Sequence, residues 1–127
     1  MARIQDVVFD CAHPAALARF WAAVLDDYSV APYDEAELTR LRAAGIVDPE
    51  DDPTVLVESE SVGTPRLWFQ RVPEARTVKN RLHLDLRSDD PDAELVRLVA
   101  LGARVLAVHP TLVVLADPEG DEFCLLR

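Results

Sequence analysis

The sequence predicts an α+β fold built from two similar halves, and three observations carry that expectation. Residues 81–87, Arg-Leu-His-Leu-Asp-Leu-Arg, alternate strictly between polar and apolar, the period of a β-strand that buries one face. Residues 14–26 and 91–101 instead place apolar side chains on one stripe at helical spacing. Each of these helices follows a strand through an X-Pro junction at a matched distance. Asp6 lies eight residues before Pro14, and His83 lies eight residues before Pro91. Such a repeat is a sign of internal duplication even where the residues themselves have diverged.

Taken in order, Ile4 to Cys11 reads as the first strand, with Val7, Phe9 and Cys11 on one face and Asp6, Val8 and Asp10 on the other. His13-Pro14 opens the first helix, where proline loses nothing by lacking an N–H. Leu17, Phe20, Trp21, Val24 and Leu25 form its apolar stripe. Asp34, with Glu37 three residues on, predicts a capped second helix that runs to Ala44 and stops at Gly45. The run Asp48 to Pro53 (DPEDDP) reads as a solvated acidic loop, because it lacks the spacing and glycine of a calcium loop. Val55 to Glu58 and Leu67 to Val72 are strands, the second with Trp68 and Gln70 on one face and Leu67 and Phe69 on the other.

The second half opens on the strand at 81–87, which directs Leu82, Leu84 and Leu86 one way and His83 and Asp85 the other. Asp90-Pro91 then caps a helix whose stripe is Leu95, Leu98 and Val99 and whose stop is Gly102. Val105 to Val108 and Leu112 to Ala116 are short strands joined through His109-Pro110-Thr111. Asp117-Pro118-Glu119-Gly120 has the residues of a type I turn and returns the chain as a last strand, Glu122 to Leu126. The expected order is β-α-(α)-β-β followed by β-α-β-β-β.

Composition narrows the function. Thirteen basic against 23 acidic residues give a net charge of −10, which excludes a nucleic-acid surface or an anionic-membrane surface built on a basic patch. Arg3, Asp6, Asp10 and Pro14 break up the first twenty residues, so neither a secretory leader nor a membrane span is expected and the expected location is cytoplasmic. Cys11 and Cys124 are too few for a disulfide framework. The four glycines leave no room for a phosphate-cradling loop, and no serine-triad or dinucleotide motif is present.

Strand parity selects the candidate site. If Phe9, Phe69, Leu82, Leu84, Leu86 and Phe123 pack against helices, then Asp6, Val8, Trp68, Gln70, His83, Asp85, Glu122 and Cys124 face the other way. These eight are the expected ligand-binding residues. They comprise an aromatic wall, an imidazole and several carboxylates, a lining suited to a small, partly apolar molecule with hydrogen-bonding groups. Cys124 has no basic neighbour in sequence and reads as a small buried hydrophobe rather than a nucleophile.

Three phrases, LWFQRVPE at 67–74, KNRLHLDL at 79–86 and DPEGDEFCLL at 117–126, together with the duplicated module, resemble the glyoxalase-like branch of the vicinal oxygen chelate superfamily. The resemblance spans nearly the whole chain. It implies a single domain of two paired βαβββ modules, about 1–75 and about 80–127. In such proteins curved mixed sheets enclose a cleft and the helices lie on the outer face. The resemblance also implies a homodimer. Metal-dependent members place ligands on the first and last strand of each module, and those places fall here on Asp6, Gln70, His83 and Cys124. Only His83 is the expected residue type, and the set suits neither zinc nor magnesium or manganese. The expectation is therefore a small-molecule-binding protein with no metal and no other cofactor. The alternative is a metal-dependent lyase, isomerase or dioxygenase of the vicinal oxygen chelate type, and a domain kept for assembly is a third, blander option.

Overall fold

A computed structural model describes residues 1–127, which divide into two compact units, Met1–Pro73 and Glu74–Arg127. The fold is mixed α+β, with three helices and two open, curved four-stranded sheets.

In the first unit the elements are β1 (Asp6–Cys11), α1 (Pro14–Val24), β2 (Tyr28–Val30), α2 (Glu35–Ala43), a 3₁₀ turn at Pro49–Asp51, β3 (Thr54–Ser59) and β4 (Arg66–Arg71). The sheet order is β1-β4-β3-β2, with β1 parallel to β4 and the other neighbours antiparallel. Helix α1 buries Leu17, Phe20, Trp21 and Val24 of the stripe read from the sequence, with Ala18 beside them, whereas Leu25 caps the helix and is half-buried. Beneath it, Val55, Val57, Leu67 and Phe69 turn inward from β3 and β4. Phe9 ties the layers together, stacking on Phe69 at 4.8 Å between ring centroids and meeting Trp21 at 5.4 Å. Each fully buried aromatic or aliphatic side chain here contributes about 1.5–3 kcal/mol by leaving water.

Two features of this unit correct the sequence reading. Strand β2 was not expected, because three residues are too few to show a period. Its register against β3, Tyr28 to Ser59 and Val30 to Val57, completes a β-α-β-β-β order in which α2 is an insertion. The acidic run is also not wholly solvated. Asp52 is only 2 % exposed, whereas Asp48, Glu50 and Asp51 remain at the surface. The α2 cap is as expected: the Asp34 carboxylate accepts from the Glu37 amide at 2.9 Å, and Gly45 follows the helix with φ of 79°.

The second unit contains β5 (Asp85–Leu86), α3 (Pro91–Leu101), β6 (Arg104–Val108), β7 (Leu112–Ala116) and β8 (Glu122–Leu126). Its sheet order is β5-β8-β7-β6, with β5 parallel to β8. This is the connectivity of the first unit without the α2 insertion. Phe123, Leu125, Leu115 and Val113 form its core, with Leu98 of α3 fully buried. The helix termini follow the sequence: Asp90 accepts from the Ala93 amide at 3.1 Å, and Gly102 closes α3 with φ of 118°. The Asp117 turn is closed by the Gly120 amide donating to the Asp117 carbonyl at 2.9 Å.

Two expectations fail in this unit. The strand at 81–87 is reduced to Asp85–Leu86, extended only by the Cys124 amide donating to the Leu84 carbonyl. Just upstream, the chain is held to β8 by side chains instead of a ladder, since Arg76 and Lys79 both pair with Glu122. Leu82, expected against a helix, is consequently 68 % exposed. Val99, expected in the buried stripe of α3, is 47 % exposed, whereas Leu98 is fully buried and Leu95 half-buried, so the covered stripe is narrower than the apolar one.

Candidate functional site

The face of the first sheet away from α1 is organised in cross-strand rows. Asp6 of β1 is opposite Arg66 of β4. The next row is apolar: Val8, Trp68 and Leu56 stand side by side on β1, β4 and β3. The third is polar, with Asp10, Gln70 and Thr54 in register. The side-chain period of two places all eight on one face, and their inward neighbours Leu67, Phe69, Val55 and Val57 fix that choice by being buried. The four candidates of this unit, Asp6, Val8, Trp68 and Gln70, therefore do share a face. Asp10, which the parity of β1 already sets beside Asp6 and Val8, joins them, as do Leu56 and Thr54, which the same rule applied to β3 would have found.

The polar members are already engaged. Arg66 forks onto both oxygens of Asp6, at 2.7 and 3.0 Å, and its guanidinium lies 5.8 Å from the Trp68 ring centroid. The Gln70 amide donates to Asp10 at 2.8 Å. The apolar row between them is left for something else to cover, and Val8 is 52 % exposed.

Beside Trp68 a cavity of about 420 Å³ opens on this unit. Leu56, Trp68 and Thr54 form its sheet side; Ala31, Pro32 and Tyr33 of the segment leading to α2, Glu37 and Arg40 of α2, and Asp52 form the rest. Asp52 is its polar centre. One carboxylate oxygen accepts from the Tyr33 hydroxyl at 2.9 Å, the other from the Thr54 amide at 3.0 Å, and Arg40 lies 3.5 Å away. Burial pushes the Tyr33 hydroxyl pKa up, and its bond to the Asp52 anion pushes it further, so the phenol stays protonated and donating. Arg40 also pairs with Glu37 through Nε at 3.0 Å and Nη2 at 2.9 Å. Tyr33, Arg40 and Asp52 were not singled out in the sequence. The Asp34–Glu37 cap signalled the helix that carries Arg40, but nothing local marked Asp52 apart from its acidic neighbours.

In the second unit, Asp85, Cys124 and Glu122 also share a face. Asp85 pairs in register with Cys124, and Glu122 shares the Cys124 face of β8; His83, outside the strand, is brought to Asp85 and Cys124 by the approach of its side chain. His83 Nε2 lies 3.2 Å from Asp85 Oδ1. The imidazole nitrogen, carboxylate oxygen and thiol sulfur of His83, Asp85 and Cys124 all fall within 4.8 Å of one another. Burial raises the pKa of the Cys124 thiol, and the adjacent Asp85 charge, which accepts its proton, raises it further. Glu122 stands apart from this trio. Lys79 and Arg76 grip it and hold its carboxyl below the usual range.

The four places where metal-dependent relatives carry ligands can be tested on their donors. Both oxygens of Asp6 belong to Arg66, Gln70 offers a neutral amide bonded to Asp10, and Cys124 is a protonated soft donor. That set does not fit the hard divalent ion such a chelate takes.

A family model described as a glyoxalase-like domain matches residues 6–126. Among solved structures, a glyoxalase/bleomycin resistance protein/dioxygenase family enzyme from Burkholderia phytofirmans PsJN superposes with a TM-score of 0.67 at 16 % identity, covering 98 % of this chain and 97 % of that one. The fosfomycin resistance protein FosX from Mesorhizobium loti gives 0.68 at 14 % identity over 99 % and 91 %. The trypanothione-dependent glyoxalase I of Leishmania major gives 0.62 at 13 % identity over 100 % and 87 %. At these identities the likeness is one of fold. The chain matches none of the functionally curated proteins.

Proposed function

The chain belongs to the glyoxalase-like domain family of the vicinal oxygen chelate superfamily, and on that premise we propose that it binds a small, partly apolar molecule without a catalytic metal at the four family places. One observation carries this reading: the apolar row Val8–Trp68–Leu56 runs to a cavity of about 420 Å³, inside the range of small-molecule sites. Trp68 and Leu56 supply the surface on which a ligand body rests. Gln70 and Asp6 border that surface with polar groups on the first sheet, and His83, Asp85, Glu122 and Cys124 are proposed separately as the polar ligand-binding groups of the second sheet. The donor chemistry supports the absence of a chelated hard ion, because Asp6 is matched by a fixed arginine. A homodimer and a cytoplasmic location accompany this reading.

The test is Trp68 fluorescence during a screen of small apolar compounds, with Trp68→Phe as the control. Trp21 is 1 % exposed in the core and contributes a constant background. A saturable change lost in Trp68→Phe supports the proposal. Ligands that bind with no change in Trp68 emission place the site elsewhere and defeat it.

A second reading, a metal-dependent lyase, isomerase or dioxygenase, is favoured by the His83, Asp85 and Cys124 donors within 4.8 Å of one another. Such a nitrogen, oxygen and sulfur set suits zinc, whose binding would release the thiol proton. Stoichiometric zinc in untagged protein, lost in both His83→Ala and Cys124→Ser, would move the assignment to this reading.

A further inference from the structure

The α2 insertion does more than lengthen the first unit, because it supplies the charged side of the cavity next to Trp68. We propose that this cavity selects a protonated amine with an aromatic or aliphatic body, a class of ligand set by Glu37, Arg40 and Asp52 together with Trp68. This inference rests on the small-molecule reading above and adds the chemistry of the ligand's head group.

The charges decide it. Two carboxylates, Glu37 and Asp52, and one guanidinium, Arg40, line the cavity, leaving one negative charge in excess. Arg40 already directs Nε and Nη2 at Glu37 and lies 3.5 Å from Asp52, so its charge is largely offset before an anion arrives. An anionic ligand would compete with those two carboxylates for Arg40 while approaching both of them. It would do so against the field of a chain with net charge −10. A cation meets the opposite situation. Glu37 lines the cavity and its bonds from Arg40 both reach Oε2, which leaves the lone pairs of Oε1 without a bond from Arg40 and able to accept from an ammonium. The only other nearby cation on this face, Arg66, is neutralised by Asp6.

The apolar and aromatic lining completes the match. Trp68 and Tyr33 bring aromatic rings to the lining, a surrounding that favours a cation, and Arg66 already lies 5.8 Å from the Trp68 centroid. Leu56, in register with Trp68, gives the ligand body an apolar floor. Asp52 takes a different part. Buried and fully engaged by Tyr33, Thr54 and Arg40, it fixes the wall without having to meet the ligand. Glu37 is the residue that reads the charge.

A matched series tests this: 4-phenylbutylamine, 4-phenylbutanol and 4-phenylbutyrate share one body and differ only in the head group. Binding is measured by calorimetry at low salt and at 0.5 M NaCl, with Trp68 fluorescence as the locator. The amine is expected to bind roughly tenfold more tightly than the alcohol, with the carboxylate weakest and the amine's advantage reduced by salt. Glu37→Gln should bring the amine down to the alcohol. Arg40→Met, which raises the negative excess, should tighten the amine and weaken the carboxylate. A residue of purely structural importance would shift all three compounds alike. If the alcohol or the carboxylate binds as tightly as the amine at Trp68, or if Arg40→Met weakens the amine, the inference is overturned while the binding reading stands. If none of the three perturbs Trp68, both are overturned.

Discussion

Asp52→Ala is the perturbation that most directly probes how the cavity is held open. The carboxylate is 2 % exposed and accepts from the Tyr33 hydroxyl at 2.9 Å and the Thr54 amide at 3.0 Å. Hydrogen bonds to a charged group are worth about 1.5–3 kcal/mol each. The lower end applies to Tyr33, which is half-buried, and about 1 kcal/mol to Thr54, whose amide can turn to water at the surface. Arg40 is 53 % exposed and keeps Glu37, so its ion pair with Asp52 adds only about 0.5 kcal/mol. The expected loss is about 3 kcal/mol, read as a lower urea midpoint at unchanged slope. Tyr33→Phe alone should cost about 1.5 kcal/mol, and the double variant should show a coupling of similar size. Asp51→Ala, one residue away at the surface, should stay within about 0.5 kcal/mol of the parent. If Asp52→Ala behaves like Asp51→Ala, or the Tyr33–Asp52 coupling vanishes, Asp52 does not organise this wall.

The two faces of the first sheet should respond differently to truncation. Phe69→Ala, at 0 % exposure and stacked on Phe9, should cost about 3–5 kcal/mol, whereas Val8→Ala at 52 % exposure should cost well under 1 kcal/mol, both by urea unfolding. Cys124 should alkylate slowly with iodoacetamide near neutral pH, and Asp85→Asn should shift the pH–rate profile to lower pH by removing the charge that opposes the thiolate. An unchanged profile would detach Asp85 from the thiol. Because the Glu122 carboxyl is held low by Lys79 and Arg76, its contribution is present above the ordinary carboxylate range and is lost as pH falls through its folded value. Limited tryptic cleavage at 76–79 should accordingly speed up in Glu122→Gln at pH 7, and acidification should do less in that variant than in the parent.

The readable parts of the sequence were those whose cause is local. The Asp34–Glu37 and Asp90–Ala93 caps, the Gly102 stop and the Asp117 turn each depend on residues within four positions, and each formed as read. Strand parity was legible for the same reason, and it placed Trp68 and Gln70 opposite Leu67 and Phe69. Features set by distant partners were not legible. Asp52 is indistinguishable from Asp51 in sequence, and what separates them is Tyr33, 19 residues earlier. The alternation at 81–87 was real, but β5 has one neighbour, and the ion pairs from Arg76 and Lys79 to Glu122 take over where the ladder stops. Val99 followed the helical period, yet a period reports only which face is apolar. How wide a stripe the sheet will cover depends on tertiary packing.

The central claim is that a small molecule rests on the Trp68 face of the first sheet, beside the α2 insertion. Amide chemical-shift mapping with a fragment mixture tests it most directly. The account predicts that saturating shifts cluster at Tyr33, Thr54, Leu56 and Trp68, with the Trp68 indole N–H among the largest. Shifts that gather instead around a separate cavity of the second unit, lined by Ser88, Thr111 and Leu126 among others, or that leave Trp68 unmoved by every bound fragment, would contradict it.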